Sequence, residues 1–316
     1  MANPSYSTAI HYKAPAKVNL YLGVHRGRDE RGYHPVDSIM AAIDYCDIVS
    51  VAPAPKLTLA CEPSVGCIDA SNTCWRAAIA LAKLFDFAPN YAITVQKHIP
   101  FQAGLGGSSS DAAATILALC DFEHIDKTDP RVMQAARSVG ADVPFFLHGE
   151  PSYWDGAGNR FSESFAQTLA SLEHAPIVLI KPACVGVSTP AAYAAFDEKP
   201  TAAAAFAEAL EAFRSGDLRR AVKQFSNNLG EVACRLSPEI QQSLSWLRGQ
   251  QGVLASLVTG SGSSSFALCD SHEAARDIAL RAHECSLHSR ATKFIMHGPQ
   301  RISQTKAHTK GHYLVG

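Results

Sequence analysis

Apolar residues at Val18, Leu20, Leu22 and Val24 alternate through KVNLYLGV (17–24), the period-two pattern of a half-buried strand. The same alternation at Tyr91, Ile93 and Val95 makes YAITVQKHIP (91–100) a strand that stops at Pro100, which cannot donate to a ladder. DYCDIVSVAP (44–53) and KLTLAC (56–61) read as further strands, and RGRDERGYH (26–34) as a charged turn punctuated by glycine. NTCWRAAIALAKLFDF (72–87) has helical spacing with Asn72 placed as its N-cap. A helix is expected from about Ser109 to Asp121, and another over DPRVMQAARSVG, ended by Gly140. APIVLIKP (175–182) reads as a fully buried strand where the character of the chain changes, so a boundary is set near 174. Beyond it come an alanine-rich helical region (190–215) and helices near 217–226 and 238–249. SLVTGSGSSSFALCD then reads as strand, tight loop, strand; SHEAARDIALRAHE as a helix; RATKFIMH as a late strand. The tail GPQRISQTKAHTKGHYLVG carries no assignable pattern.

Composition narrows the class. With 316 residues, 47% hydrophobic and 18% charged, the chain can bury one large core or two ordinary ones. A net charge of −1 lacks the basic footprint of a nucleic-acid binder. The N-terminus lacks a charged segment followed by an apolar block, and RAAIALAKLF is interrupted by Lys83, so neither a secretory leader nor a membrane span is expected. Nine cysteines without a CxxC pair read as reduced thiols of a cytoplasmic protein, several of them core residues.

The chemistry concentrates in IPFQAGLGGSSSDAAATILAL (99–119). Glycines let a backbone approach a ligand closely, and the first turn of a helix offers unpaired N–H groups and a partial positive charge. Strand, glycine loop and helix start therefore suit a phosphate, the plainer alternative being an ordinary capped turn. No lysine follows as a Walker A loop requires, and serine stands where the dinucleotide fingerprint has its last glycine.

The segment from Pro100 to Ser110 resembles the nucleotide loop of the GHMP kinases. APAKVNLYLGVHRGRDERGYHPVDSI (14–39), SNTCWRAA, GADVPFFLHGEPSYWDGAGNRF (140–161), VGVSTPAAYAAF (185–196), NNLGEVACRLSPEI (227–240) and TGSGSSSFAL (259–268) are similar, in order, to motifs of the 4-diphosphocytidyl-2-C-methyl-D-erythritol kinase family. Pro35-Val36-Asp37 after the histidine and the serine-rich 261–265 loop depart from that pattern.

The resemblance implies a two-domain α+β GHMP kinase fold, with a ribosomal S5 domain 2-like N-terminal domain (1–174) and a ferredoxin-like C-terminal domain (175–316). It implies ATP and Mg²⁺ as cofactors, a small cytidyl-linked substrate, and no nucleic-acid or membrane partner. Metal ligands are left unassigned. The ATP loop would comprise Pro100, Phe101, Gln102, Ala103, Gly104, Leu105, Gly106, Gly107, Ser108, Ser109 and Ser110, with Gly260 to Ser265 a second loop near the reacting phosphate.

Asp142, between a helix end and an apolar run, is by position either a helix cap or a base, and by resemblance the catalytic base. Lys17 reads alone as a solvated charge and by resemblance as the partner of Asp142; Asn19, on the same strand face, would bind substrate or the aspartate. Tyr33 and His34 read alone as a surface corner. By resemblance, Tyr33 stacks on cytosine, His34 pairs with its edge and Tyr193 forms the opposite wall. Asn72 would touch the nucleotide as well as cap its helix. The rival readings are another GHMP kinase, of homoserine or mevalonate type, and a non-catalytic ligand sensor on the same fold.

Overall fold

The structure is a computed structural model and describes residues 9–30, 32–64, 70–183 and 186–303. The chain opens with two long antiparallel strands, β1 (Ile10–Val24) and β2 (Val36–Pro53). Strands β3 (Thr58–Glu62) and β4 (Tyr91–Gln96) extend the sheet beside β2. Helices α1 (Thr73–Phe85), α2 (Gly107–Phe122), α3 (Pro130–Val139) and α4 (Val143–His148) pack with these strands around one core. Strands β5 (Ser152–Asp155) and β6 (Arg160–Ser164) form a hairpin paired to β2.

The alanine run after the glycine loop has a packing reason. Ala112, Ala113, Ala114 and Ala118 of α2 are completely buried, and their small size lets the helix lie close against β1, β2 and α1. Helix α2 starts at Gly107, earlier than the apolar pattern indicated, so the glycine-serine segment is part helix.

The next strand, β7 (Pro176–Lys181), is buried at its centre as its sequence predicted. Helices α5 (Thr189–Glu198), α6 (Phe206–Arg214) and α7 (Leu218–Lys223), the short strand β8 (Ser226–Asn227), and helices α8 (Asn228–Leu236) and α9 (Pro238–Arg248) lead to β9 (Val253–Val258). Then follow β10 (Ser265–Cys269), α10 (His272–Glu284), β11 (His288–Ile295) and β12 (Gln300–Ile302). Strands β11, β7, β10 and β9 lie side by side in that order, all antiparallel, with α9 and α10 packed on them. This is the split βαβ arrangement of a ferredoxin-like domain.

Hydrogen bonding runs between the halves. Strand β11 pairs with both β7 and β2, and β12 pairs with β1, so the start of the tail left unassigned from sequence forms an edge strand. A second core joins Val18, Leu20 and Ile43 to Leu179, Phe266 and Phe294. The limit at 174/175 is therefore a proposed one, with three strands from beyond it, β8, β11 and β12, pairing with the first half. β1 is longer than its alternation suggested and is buried on both faces, with Lys13 its exposed residue.

Cys61, Cys74, Cys120 and Cys269 are buried and unpaired, as core thiols should be; Cys67 and Cys184 lie outside the described residues. Burial pushes the Cys269 thiol up to about 11. Among the described residues, no helix is long and apolar enough to cross a membrane.

Candidate active site

A cleft of about 540 Å³ opens where β1, the start of α2, the start of α4 and the loop between β9 and β10 meet. Lys17 lies on β1 and is buried, so it is not the solvated charge its isolated position suggested. Its ammonium donates to Asn19 Oδ1 at 2.7 Å and stands 3.6 Å from Asp142 Oδ2. Asn19 in turn donates to Ser38 Oγ at 3.0 Å and accepts from the Gly260 N–H at 3.0 Å. A lysine and an asparagine two residues apart on a strand share a face, and here that face is the cleft wall.

Asp142 precedes α4 at its cap position, yet its carboxylate makes no cap hydrogen bond. The capping alternative is thus set aside, and the carboxylate faces Lys17 while keeping side-chain exposure of 34%. Its position is held by Phe145 and Phe146, both completely buried, whose truncation costs about 3–5 kcal/mol each. Tyr193 adjoins this carboxylate: burial first, and the Asp142 charge second, push its phenol up to about 12.

The glycine loop is stitched to both neighbours. Lys17 N–H donates to the Leu105 carbonyl at 2.9 Å, and Thr259 Oγ1 donates to the Gly104 carbonyl at 3.2 Å. Gly106 is the N-cap of α2, and no side chain caps that end, which leaves first-turn N–H groups for an anion. A β-carbon at Gly106 would lie 2.9 Å from Phe146 Cζ and 3.0 Å from Lys17 Cγ, so glycine here lets the lysine pass beside the loop. At Gly104, φ is +74° and a β-carbon would lie 2.0 Å from the Thr259 carbonyl oxygen. Gly104→Ala should therefore lower stability by more than about 1 kcal/mol and weaken ATP binding with it; thermal melting and nucleotide titration check this.

Pro100 through Ser109 line the cleft, as do Asn19, Tyr33, His34, Tyr193, Gly260 and Ser261. Ser110 does not: it sits on the inner side of α2, completely buried. Nor does Asn72 line it; the side chain caps α1 by accepting from Cys74 N–H at 2.8 Å, while its neighbour Thr73 donates to the Ser108 carbonyl at 2.7 Å. Ser263, Ser264 and Ser265 are likewise buried outside the lining. The His34 imidazole is already engaged. Its Nδ1 donates to the His25 carbonyl at 3.0 Å, Nε2 stands 3.1 Å from Asp197 Oδ1, and Tyr193 stacks on the ring at 5.3 Å. Tyr193 therefore covers His34, and the ring edge is not open to a base.

Two cationic lining residues escaped the sequence reading, Lys97 and Arg28. Lys97, at the end of β4, bridges Asp47 and Asp111, its ammonium 2.6 Å from Asp111 Oδ2. Asp47 also accepts from the Ile99 N–H at 2.8 Å. The usable signal was a lysine directly before the glycine loop with an acid, Asp111, in the first turns after it. Burial, then the Asp47 carboxylate, push Asp111 up to about 8 against the pull of Lys97.

A glycine-lined helix start facing a lysine–carboxylate pair is an arrangement for moving a phosphoryl group onto an acceptor. Residues 72–150 match the GHMP kinases N terminal domain and residues 206–285 the GHMP kinases C terminal domain, so both halves are those of a GHMP kinase. The chain is 35% identical over 271 residues to the 4-diphosphocytidyl-2-C-methyl-D-erythritol kinase of Citrifermentans bemidjiense, covering 84% of this chain and 91% of that one. It is 37% identical over 262 residues to the enzyme of that name from Polaromonas naphthalenivorans, covering 80% and 84%. A crystal structure of 4-(cytidine 5'-diphospho)-2C-methyl-D-erythritol kinase superposes with a TM-score of 0.71 at 32% identity, over 90% of this chain and 98% of that one. Homoserine kinase from Cytophaga hutchinsonii reaches 0.69 at 19% identity, covering 96% and 100%, a likeness of fold alone. The chain belongs to the 4-diphosphocytidyl-2-C-methyl-D-erythritol kinase family.

Proposed function

We propose that this chain transfers the γ-phosphate of ATP to the 2-hydroxyl of 4-diphosphocytidyl-2-C-methyl-D-erythritol, a step of the non-mevalonate route to isoprenoids. The observation that carries the reading is the Lys17–Asp142 pair, 3.6 Å apart and beside the glycine loop. Asp142 accepts the proton of the attacking hydroxyl. Lys17 offsets the negative charge that develops on the oxygen. Asn19 fixes the direction of the ammonium through its 2.7 Å hydrogen bond. The α2 N-terminus holds the triphosphate against Gly106 and Gly107.

Among the described residues, no group of three His, Cys, Asp or Glu side chains could cage a metal ion. Mg²⁺ is commonly held by substrate phosphates, water and few protein oxygens, and the Ser108 and Ser109 hydroxyls are the ones the glycine loop brings to the cleft. Bound there, the ion supplies charge neutralisation on the phosphates.

At the pyrimidine end, Tyr33 is exposed and lines the cleft, where in this reading its ring stacks on the base. The overall fold does not separate this substrate from homoserine, since TM-scores of 0.71 and 0.69 are nearly equal; the difference in identity supports the cytidyl compound. A substrate panel tests it. Turnover is expected with the cytidyl compound and ATP. Turnover of homoserine or mevalonate without it, or nucleotide binding with no turnover at all, would overturn the reading.

A further inference from the structure

One cluster at the cleft's pyrimidine end is not used by the phosphoryl transfer just described. Arg28 and His34 line the cleft, and behind them stands Asp197 in the last turn of α5. Asp197 Oδ1 is 3.1 Å from His34 Nε2, and Asp197 Oδ2 accepts from Arg28 Nη2. Arg28 Nη1 donates to the Gly32 carbonyl at 3.0 Å, and the Tyr33 N–H donates to the Asp29 carboxylate at 2.9 Å. One carboxylate on α5 thus ties down Arg28 at one end of the turn that presents Tyr33 and faces the His34 ring at the other without a hydrogen bond to Nε2.

Main-chain bonds shape the turn locally: Asp29 N–H to the Tyr33 carbonyl at 2.7 Å, Gly32 N–H to the Asp29 carbonyl at 2.8 Å and His25 N–H to the Pro35 carbonyl at 2.9 Å. Residues 25–30, 32 and 33 are exposed, so apolar packing contributes little to its conformation, and its shape rests on polar contacts. His34 is the exception: its ring is clamped between Tyr193, stacked at 5.3 Å, and Phe196, edge-on at 5.6 Å, both from α5. The other end of α5 reaches the phosphate side, where the Thr189 hydroxyl lies 3.1 Å from Ser261 Oγ. Helix α5 therefore spans the cleft from the 259–264 loop to the pyrimidine turn, which it meets through the Tyr193 and Phe196 rings and through the Asp197 carboxylate.

We propose that Asp197 is a positioning residue for substrate specificity: by fixing Arg28 to α5, it sets affinity for the cytidyl group without affecting ATP. The proposal rests on the substrate reading above. Its physical basis is pre-organisation. With Asp197 in place the turn is already docked on α5; without it, that docking must be restored when the ligand arrives.

The test uses Asp197→Ala, with cytidine diphosphate as binding probe and steady-state kinetics on both substrates. The dissociation constant for cytidine diphosphate and the KM for the cytidyl substrate should each rise about tenfold or more, as for a lost charge-assisted contact. The KM for ATP and kcat should stay within about twofold, a split that general loosening would not produce. Arg28→Ala should reproduce the effect, and the double variant should be little worse than either, because both remove one contact. Thermal melting confirms that each variant is folded; if Asp197→Ala is not, Asp197→Asn and Arg28→Ala carry the test. An unchanged dissociation constant in a folded variant overturns the proposal. So does a parallel rise in both KM values, or additive effects in the double variant. Failure of the wild-type protein to bind cytidine diphosphate or to turn over the cytidyl substrate overturns the substrate reading itself, and this proposal with it.

Discussion

Asp142→Asn is expected to lower kcat by roughly 10²–10⁴ while ATP affinity stays close to wild type. The amide keeps the shape of the carboxylate and removes its capacity to take a proton. Lys17 remains anchored through its 2.7 Å hydrogen bond to Asn19, so the wall of the site should not collapse. The triphosphate would be held by the glycine loop and the start of α2, neither of which Asp142 supports by a cap hydrogen bond. Losing the base should therefore appear in turnover and not in nucleotide binding, the pattern of an interaction made in the transition state. Steady-state kinetics and calorimetric titration with an ATP analogue make the comparison. Normal turnover would remove the base assignment, and a loss of nucleotide affinity equal to the loss of rate would make Asp142 a binding residue.

How much of this was legible depends on how local each feature is. The glycine loop could be read directly, because strand end, positive-φ glycines and helix start are consecutive in the chain. The Asn72 cap was legible for the same reason. The approach of Lys17 to Asp142 was not; no periodicity links β1 to a loop before α4, and it entered through resemblance. β1 looked half-buried because alternation marks only Val18, Leu20, Leu22 and Val24. Its other face, with Lys17, Asn19 and Tyr21, is buried against the cleft and the second half of the chain. Helix α8 was missed because its opening, Asn228-Leu229-Gly230, reads as loop, although Asn227 caps it by accepting from the Gly230 N–H at 2.9 Å. Ser110 was assigned to the ATP loop by sequence adjacency. Helix geometry turns it the other way, since in a helix that begins at Gly107, Ser110 falls on the inner side.

Lys97→Met is expected to destabilise the fold by about 3–5 kcal/mol, the cost of leaving buried charge without its partner. Asp47 is completely buried and Asp111 nearly so, and Lys97 is the cation between them. Burial alone would weaken that ammonium, yet the Asp111 and Asp47 carboxylates hold it above its usual value. Methionine fills similar space and returns no charge. Asp111→Asn should behave oppositely, because two carboxylates share one ammonium and the amide removes the surplus charge. The Asp111 carboxyl titrates near 3.8 in an unfolded chain and is raised to about 8 in the fold. Between those values the folded protein retains a proton that the unfolded chain has released. The stability this supplies is fully present below the lower value and is lost as pH rises through the upper one. Asp111→Asn should therefore flatten the decline of stability across that window and leave the protein at least as stable as wild type above it. Denaturant unfolding at several pH values measures both effects. A Lys97→Met protein as stable as wild type, or an Asp111→Asn protein that loses stability most at high pH, would mean that the triad does not carry the charge balance described.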